Sequence, residues 1–391
     1  MLLILAGVSI NALFSDNGII ERAKNAQNKV DEAEKKDLEE INKLNNWLEE
    51  NGGISNSPTV KSYTEASKNE NGTLKENAKY TDSESAEVTI PKGFKVSDVA
   101  GTESTDGEQT VSKGLVIQDK DGNQFVWVPV TYTATEKDEN SNGLDDGFEA
   151  TFKRSTTNTV FTEPYANGYS GENTDYMNMM KSVQANKGFY IGRYEAGIPD
   201  EYIERKNEKE LKTTFNNKVG IPTSQKGKIP WNYINWSKAD ESATSMYKDN
   251  EYVMSDLITD RQWNYTANWL AECGYNVNDC ATWGNYSNVN FEFTGYYSTD
   301  GKTYKYAENK MKQTYNMILS TGATERNKAN NIYDLAGNLA EYVDVNEKSS
   351  NMYDRGGYYD NVSMFGVGSN AKIDISNSND RQGFRVVLYF K

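Results

Sequence analysis

The stretch NIYDLAGNLAEY, residues 331–342, decides how the chain is read. It sets an apolar pair, a carboxylate, a glycine-containing turn and a second carboxylate in quick succession, which is the make-up of an acidic active site or a cation-binding turn. Two strings downstream belong with it: RGGYY at 355–359 and QGFRVVLYF at 382–390. They read as one β-strand entering and one β-strand leaving a long loop.

Composition narrows the possible functions. The chain has 391 residues, 36% of them hydrophobic, but 12% are aromatic, with 26 Tyr and 7 Trp. Rings rather than aliphatic side chains are therefore expected to fill the core and to line any half-wet binding surface. The net charge of −15 argues against nucleic acid as a partner, because binding phosphates needs a basic surface. There is no histidine, which removes Ser-His-Asp and Cys-His nucleophiles, His-ligated zinc and imidazole acid–base chemistry. The two cysteines, Cys273 and Cys280 in CGYNVNDC, are too few for a zinc site. Two readings stand for them: a disulfide closing a small loop, or two free thiols.

Taken in order, residues 1–51 read as a helix. MLLILAGVSINALF (1–14) is apolar and, at about 21 Å as a helix, shorter than a bilayer core. Beyond SDNG, a charged amphipathic continuation carries Ile20, Val30, Leu38, Ile41, Leu44 and Leu48 at helical spacing, and Gly52–Gly53 stop it. Residues 52–85 are polar and poor in apolar side chains, so they read as a flexible linker. Order is expected to resume at 86. AEVTIPKGFKVSDV alternates as strand, and GLVIQDKDGNQFVWVPV reads as a hairpin turning at 120–123, where DG supplies positive φ. A polar insertion over 133–177 precedes a short helix and the strand GFYIGRYEAG. Helices are expected over 236–247 and 257–272, and the six tryptophans from Trp127 to Trp283 are expected to pack in the core and its rim.

LLILAGVSINALFSDNGIIERAKNAQ (2–27) resembles the N-terminal helix of prepilin-like proteins of low-GC Gram-positive bacteria. It departs from that pattern at its start: the basic leader, the processing glycine and the first half of the apolar segment are absent, so Met1 is expected to be either a misplaced start or a boundary cut within a longer sequence. The resemblance implies display at the cell surface, membrane anchoring or assembly into a pilus.

A second resemblance covers about residues 86–391. GNQFVWVPV, GFYIGRYEAG, IPWNYINWSKAD, ITDRQWNYTANWL, TWGNYSN, TGATERNKANNIYDLAGNLAEY, DRGGYY and QGFRVVLYF occur in that order. Together they resemble the formylglycine-generating enzyme/sulfatase-modifying-factor family, a variant of the C-type lectin fold. The resemblance implies an α+β, C-type-lectin-like domain with two long helices and small twisted sheets, here behind a long N-terminal α-helix. It also implies a structural calcium ion held by Asp334, the carbonyls of Gly337 and Leu339, and Glu341; oxygen ligands around a tight turn suit that hard cation. Two family tryptophans are replaced by Ala340 and Tyr342. The catalytic cysteine pair that the family places between RGG and GFR is missing, so neither copper nor formylglycine formation is expected.

The same fold serves as the variable protein of diversity-generating retroelements, and the composition of 358–380 fits codons rewritten from Asn. The leading expectation is a non-catalytic, surface-displayed protein that binds a protein or carbohydrate ligand. Its recognition face would comprise Tyr358, Tyr359, Asn361, Ser363, Phe365, Val367, Ser369 and Asn370. The alternatives are a cysteine-independent enzyme of the sulfatase-modifying-factor family and a structural pseudopilin-like subunit, in a Gram-positive-type bacterium or its phage.

Overall fold

The structure, a computed structural model, describes residues 60–97, 109–153, 174–214, 217–313, 316–345 and 351–391, within the unit Val60–Lys391. The expected N-terminal helix, the first residues of the expected linker and residues 154–173 of the insertion lie outside them. Among the described residues no helix is long and apolar enough to cross a membrane.

The chain first forms β1 (Lys61–Ser62), β2 (Ala78–Thr81), β3 (Glu87–Ile90) and β4 (Phe94–Val96), then β5 (Val116–Asp119) and β6 (Gln124–Pro129). Helices α1 (Asp146–Thr151) and α2 (Thr174–Asn186) precede β7 (Gly188–Gly192), β8 (Ile203–Asn207) and β9 (Glu210–Thr213). Then come α3 (Trp236–Ser245), β10 (Val253–Leu257), α4 (Asp260–Glu272), β11 (Phe291–Ser298) and β12 (Thr303–Gln313). Eight short strands finish the chain: β13 (Ile318–Leu319), β14 (Lys328–Ala329), β15 (Ile332–Tyr333), β16 (Ala340–Val343), β17 (Asn351–Arg355), β18 (Asn370–Asp374), β19 (Gln382–Phe384) and β20 (Val386–Phe390). The domain is α+β and mostly sheet.

The main sheet runs β10-β20-β7-β6-β5-β4, with every neighbouring pair antiparallel. Its register explains why the central strands are apolar without alternation. Val126 pairs with Ile191 and Ile191 with Val387, and all three join a core containing Met179 and Val183 of α2 and Trp263 and Leu270 of α4. One residue along, Trp127 pairs with Tyr190 and Tyr190 with Leu388, and these join the opposite core with Ile229 and Trp231. Successive side chains point to opposite faces, so a sheet covered on both faces must be apolar at every position.

Local chemistry sets the element boundaries. In the β5–β6 hairpin Gly122 takes φ 90°, and Asp119 Oδ1 accepts from the amides of Asp121 and Asn123. The last helix begins at Asp260, three residues later than the apolar pattern alone indicates. Thr259 and Gln262 cap it reciprocally, Gln262 N to Thr259 Oγ1 at 3.2 Å and Thr259 N to Gln262 Oε1 at 3.1 Å. The residues before it form β10, an edge strand of the main sheet. Trp127, Trp231, Trp263, Trp269 and Trp283 are buried, as the ring-filled core requires.

One expectation is corrected here. Residues 60–85 are not linker: β1 and β2 build a three-stranded sheet with β3, and Ala66, Leu74 and Ala78 join the core beside Ile90 and Phe94. Ala66, Leu74 and Ala78 face inward while Val60 stays exposed, and polar side chains are engaged locally, for example Asp82 Oδ1 accepting from the amides of Glu84 and Ala86. Leu74 is fully buried, so Leu74→Ala is expected to cost about 2–5 kcal/mol in a denaturant melt, whereas a residue in a flexible linker would cost almost nothing.

Candidate functional site

The stretch 331–342 is a run of left-handed turns. Asn331, Asp334, Gly337 and Asn338 have φ of 66°, 57°, 75° and 63°, a conformation that Gly, Asn and Asp tolerate best. At Gly337 a Cβ would lie 2.1 Å from the carbonyl oxygen of Asn285, so no other residue fits. Asn338 is fully buried and uses both ends of its amide. Its Oδ1 accepts from Leu319 N (2.8 Å), and its Nδ2 donates to Glu195 Oε2 (2.6 Å). Glu195 also accepts from the amide of Leu339 at 3.0 Å. Burial, reinforced by nearby Asp334 and Glu341, pushes the Glu195 carboxyl well above the usual range.

Glu341, on β16, faces Arg385, which separates β19 from β20. Arg385 Nε donates to Glu341 Oε2 at 2.9 Å and Nη2 donates to Oε1, with both side chains fully buried. The remaining guanidinium donors reach the carbonyls of Gly192 (2.9 Å) and Tyr333 (3.0 Å). The donor set expected for calcium therefore does not fit that ion. Both Glu341 oxygens are taken by a guanidinium whose charge would repel a divalent cation, and Asp334 Oδ2 accepts from the amide of Gly322 at 2.7 Å. Asp334 and Glu341 lie within electrostatic reach of each other and of Glu195, Leu339 bonds Glu195 through its amide, and Gly337 N donates to Gly356 O at 3.0 Å, all within the hydrogen-bonded base of the fold.

The RGG motif repeats the device. Arg355 ends β17 and its Nη1 lies 2.5 Å from Asp260 Oδ1, a second buried ion pair, which fastens the strand to the first turn of α4. Gly357 has φ 66°, and a Cβ there would fall 2.2 Å from the carbonyl oxygen of Phe365. The loop that follows is tied down by its backbone. Tyr359 N donates to Asn338 O (3.0 Å) and Gly368 N to Val277 O (2.9 Å). Ser363 N donates to Asn288 Oδ1 (2.8 Å), and Trp263 Nε1 donates to Val367 O (2.8 Å).

These anchors divide the expected recognition residues. Tyr359, Ser363 and Val367 are buried: Tyr359 bonds Asp380 through its hydroxyl (2.6 Å), and Val367 lies in the core. They hold the loop and do not face a ligand. Tyr358, Asn361, Phe365, Ser369 and Asn370 line a cavity of about 300 Å³. Beside it Val362, Met364 and Phe365 are 41%, 72% and 54% exposed. Of the two readings left open for the cysteines, the structure has the free thiols: Cys273 and Cys280 are not bonded to each other. Cys280 is buried beneath the loop, close enough that a Cβ on Gly366 would fall 2.6 Å from its Sγ, and burial pushes its thiol up to about 11. Cys273 sits at the exposed C-cap of α4.

The cavity floor is one face of the sheet β18-β17-β16-β19. Asp354 pairs with Ala371 on one side and Tyr342 on the other, and Ala340 pairs with Gln382. The two-residue period then places Ala340, Asp354, Ala371, Ile373 and Gln382 on the same face, and all five line the cavity. The two alanines leave the space that larger side chains would fill. Asp354 is 5% exposed, and its Oδ2 accepts from Gln382 Nε2 at 2.9 Å. Burial lifts its carboxyl to about 6, opposed by that hydrogen bond. The five floor residues were not expected as site residues, because nothing in the sequence gives the register between strands so far apart in the chain.

Two outcomes test this geometry. Glu341→Gln leaves the buried Arg385 charge uncompensated, so it is expected to lower stability by roughly 3–5 kcal/mol, by the same amount with and without a calcium chelator. Asp354 has the opposite sign. Its folded value of about 6 lies above the ordinary 3.8, so the unfolded chain gives up this proton first, and stability is lost as pH rises from about 4 to about 6. Asp354→Asn removes that loss. Its melting temperature is expected to exceed the parent's at pH 7.5, with the gap closing as pH falls toward 4.

No family model and no curated protein matches this chain. Three solved structures show loose likeness. PvdO from Pseudomonas aeruginosa is 16% identical, covering 71% of this chain and 98% of its own, with a TM-score of 0.39. CarF is 14% identical over 52% of this chain and 87% of its own, with a TM-score of 0.34. Treponema denticola variable protein 1 is 12% identical over 51% of this chain and 95% of its own, with a TM-score of 0.29. Likenesses this distant assign neither fold family nor activity.

Proposed function

We propose that residues 60–391 form a ligand-binding domain of C-type-lectin-like organisation, whose recognition face is the loop after RGG and the sheet face beneath it. The observation that carries the reading is the contrast within that loop. Its backbone is anchored, yet Val362, Met364 and Phe365 expose large apolar side chains within a span of four residues. Such a patch contributes nothing to the domain's own core and is what a partner surface covers. A loop already held in place loses little further entropy on binding. The apolar rim suits a protein ligand better than a polyol.

Catalysis is the weaker reading. A carboxylate-based hydrolase uses a pair of acids about 5–9.5 Å apart across the substrate, and Asp354 is the one carboxylate among the residues that line the cavity. Surface display through the N-terminal segment rests on the prepilin-like sequence of residues 2–27, and diversification of the loop rests on its composition.

Binding to a protein array is the direct test. Hits on the parent chain are expected to be lost in the double variant Met364→Ala/Phe365→Ala, with its melting temperature within about 2 °C of the parent, because both side chains are exposed. Hits that survive this variant would contradict the assignment of the face.

A further inference from the structure

The cavity under the loop has a chemistry of its own. Its walls are apolar at Phe365, Ile373, Ala340 and Ala371, with the Tyr358 ring at the side. Its floor holds a buried carboxyl, Asp354, and no lysine or arginine is among the residues that line it. The neighbouring cation on the same strand, Arg355, points to the opposite face and pairs there with Asp260; its charge lowers the Asp354 carboxyl, but burial outweighs it. Arg381 stays at the outside, 5.1 Å from the centre of the Tyr358 ring and 3.8 Å from Asp360. A carboxylate can accept about four hydrogen bonds, and Asp354 accepts from Gln382 and from the amide of Ala371. It retains acceptor capacity toward a donor that enters the cavity.

We propose that this cavity takes a primary ammonium carried on a short apolar stem, as a lysine side chain of a partner protein presents it, with Asp354 as the counter-charge. The inference rests on the binding-face reading and narrows it to a ligand chemistry. A buried carboxyl without a cationic partner in its cavity costs stability, and a cation supplied by the ligand removes that cost. The stem meets Phe365, Ile373 and the two alanines, while the surface around the lysine meets Met364 and Val362. An anion is excluded by the same carboxylate, and a polyol would leave the apolar walls unmatched. The whole-chain charge of −15 favours the approach of a basic partner. Binding must weaken as Asp354 takes up a proton, and burial sets that change near pH 6. The other ionisable side chains around it are Tyr342, whose hydroxyl burial pushes up, Arg355, Lys372 and Arg381, and Asp360 lies outside the lining beside Arg381.

The test uses the full chain and four probes: butylamine, butanol and butyrate, which share a short apolar stem, and glucosamine, which carries its ammonium on a polyol. Binding is read from amide shifts of Asp354, Tyr358 and Ala371 in nuclear magnetic resonance titrations. The expected result is binding of butylamine at least about tenfold tighter than each of the other three, weakening below pH 6. Asp354→Asn is expected to remove the preference, and Ala371→Leu, which fills the cavity without changing its charge, is expected to abolish binding. Equal binding of butanol and butylamine, or butylamine binding that survives Asp354→Asn, overturns the charge assignment while leaving the binding face in place. A preference for glucosamine overturns the apolar stem. Shifts from none of the four overturn the cavity as a ligand site, while array hits lost in the Met364/Phe365 double variant would still uphold the outer face.

Discussion

The buried pair between Glu341 and Arg385 is the interaction on which the rest of the domain depends. Arg385 stands at the point where the last strand leaves the four-stranded sheet and enters the main one. Its guanidinium bonds the Glu341 carboxylate of β16, the Gly192 carbonyl at the end of β7 and the Tyr333 carbonyl at the start of the left-handed turns. Three separate segments are thereby fixed to one planar group. Such a pair has little net value compared with an apolar substitute, but half of it is very costly. That asymmetry makes the arrangement specific: a slip of one residue in β19 or β20 would strand a buried charge. Arg355 and Asp260 repeat the logic at the other end of the loop.

Between those two pairs the chain is free to vary what it shows. The loop backbone is held by Asn338, Asn288, Val277 and Trp263, so the side chains at Val362, Met364 and Phe365 contribute nothing to the fold that would oppose a change. On the proposed reading, stability and recognition are carried by different residues of the same loop. The one place where they meet is Asp354. Its burial lowers the stability of the folded chain at neutral pH, and the cost is borne at the floor of the cavity. A destabilising group in such a position is what a binding site requires and a pure scaffold does not.

Much of this was legible in the sequence, and the parts that were not have physical causes. The α+β class and the strands that enter and leave the loop were legible, because glycines, turn residues and apolar runs respond to local backbone demands. The inward or outward direction of loop residues was not legible: between Tyr358 and Asn370 there is no period to read, so Tyr359, Ser363 and Val367 looked like their exposed neighbours. The floor residues Asp354 and Gln382 were missed because they face one another only through the register of β16, β17 and β19. Calcium at Glu341 came from the family resemblance; the group that Glu341 meets in the structure is Arg385, remote in sequence. Residues 60–85 read as linker because their three core side chains are scattered among polar ones that satisfy one another.

The central claim is that the loop after RGG is a rigid platform with exposed apolar side chains, and amide hydrogen exchange tests it most directly. The amides of Tyr359, Ser363 and Gly368 each donate to a fixed partner in the structure. They are predicted to exchange orders of magnitude more slowly than an unstructured peptide, and to lose that protection only with global unfolding, as strand β16 does. Exchange of these amides at the unprotected rate, while β16 stays protected, would contradict the account.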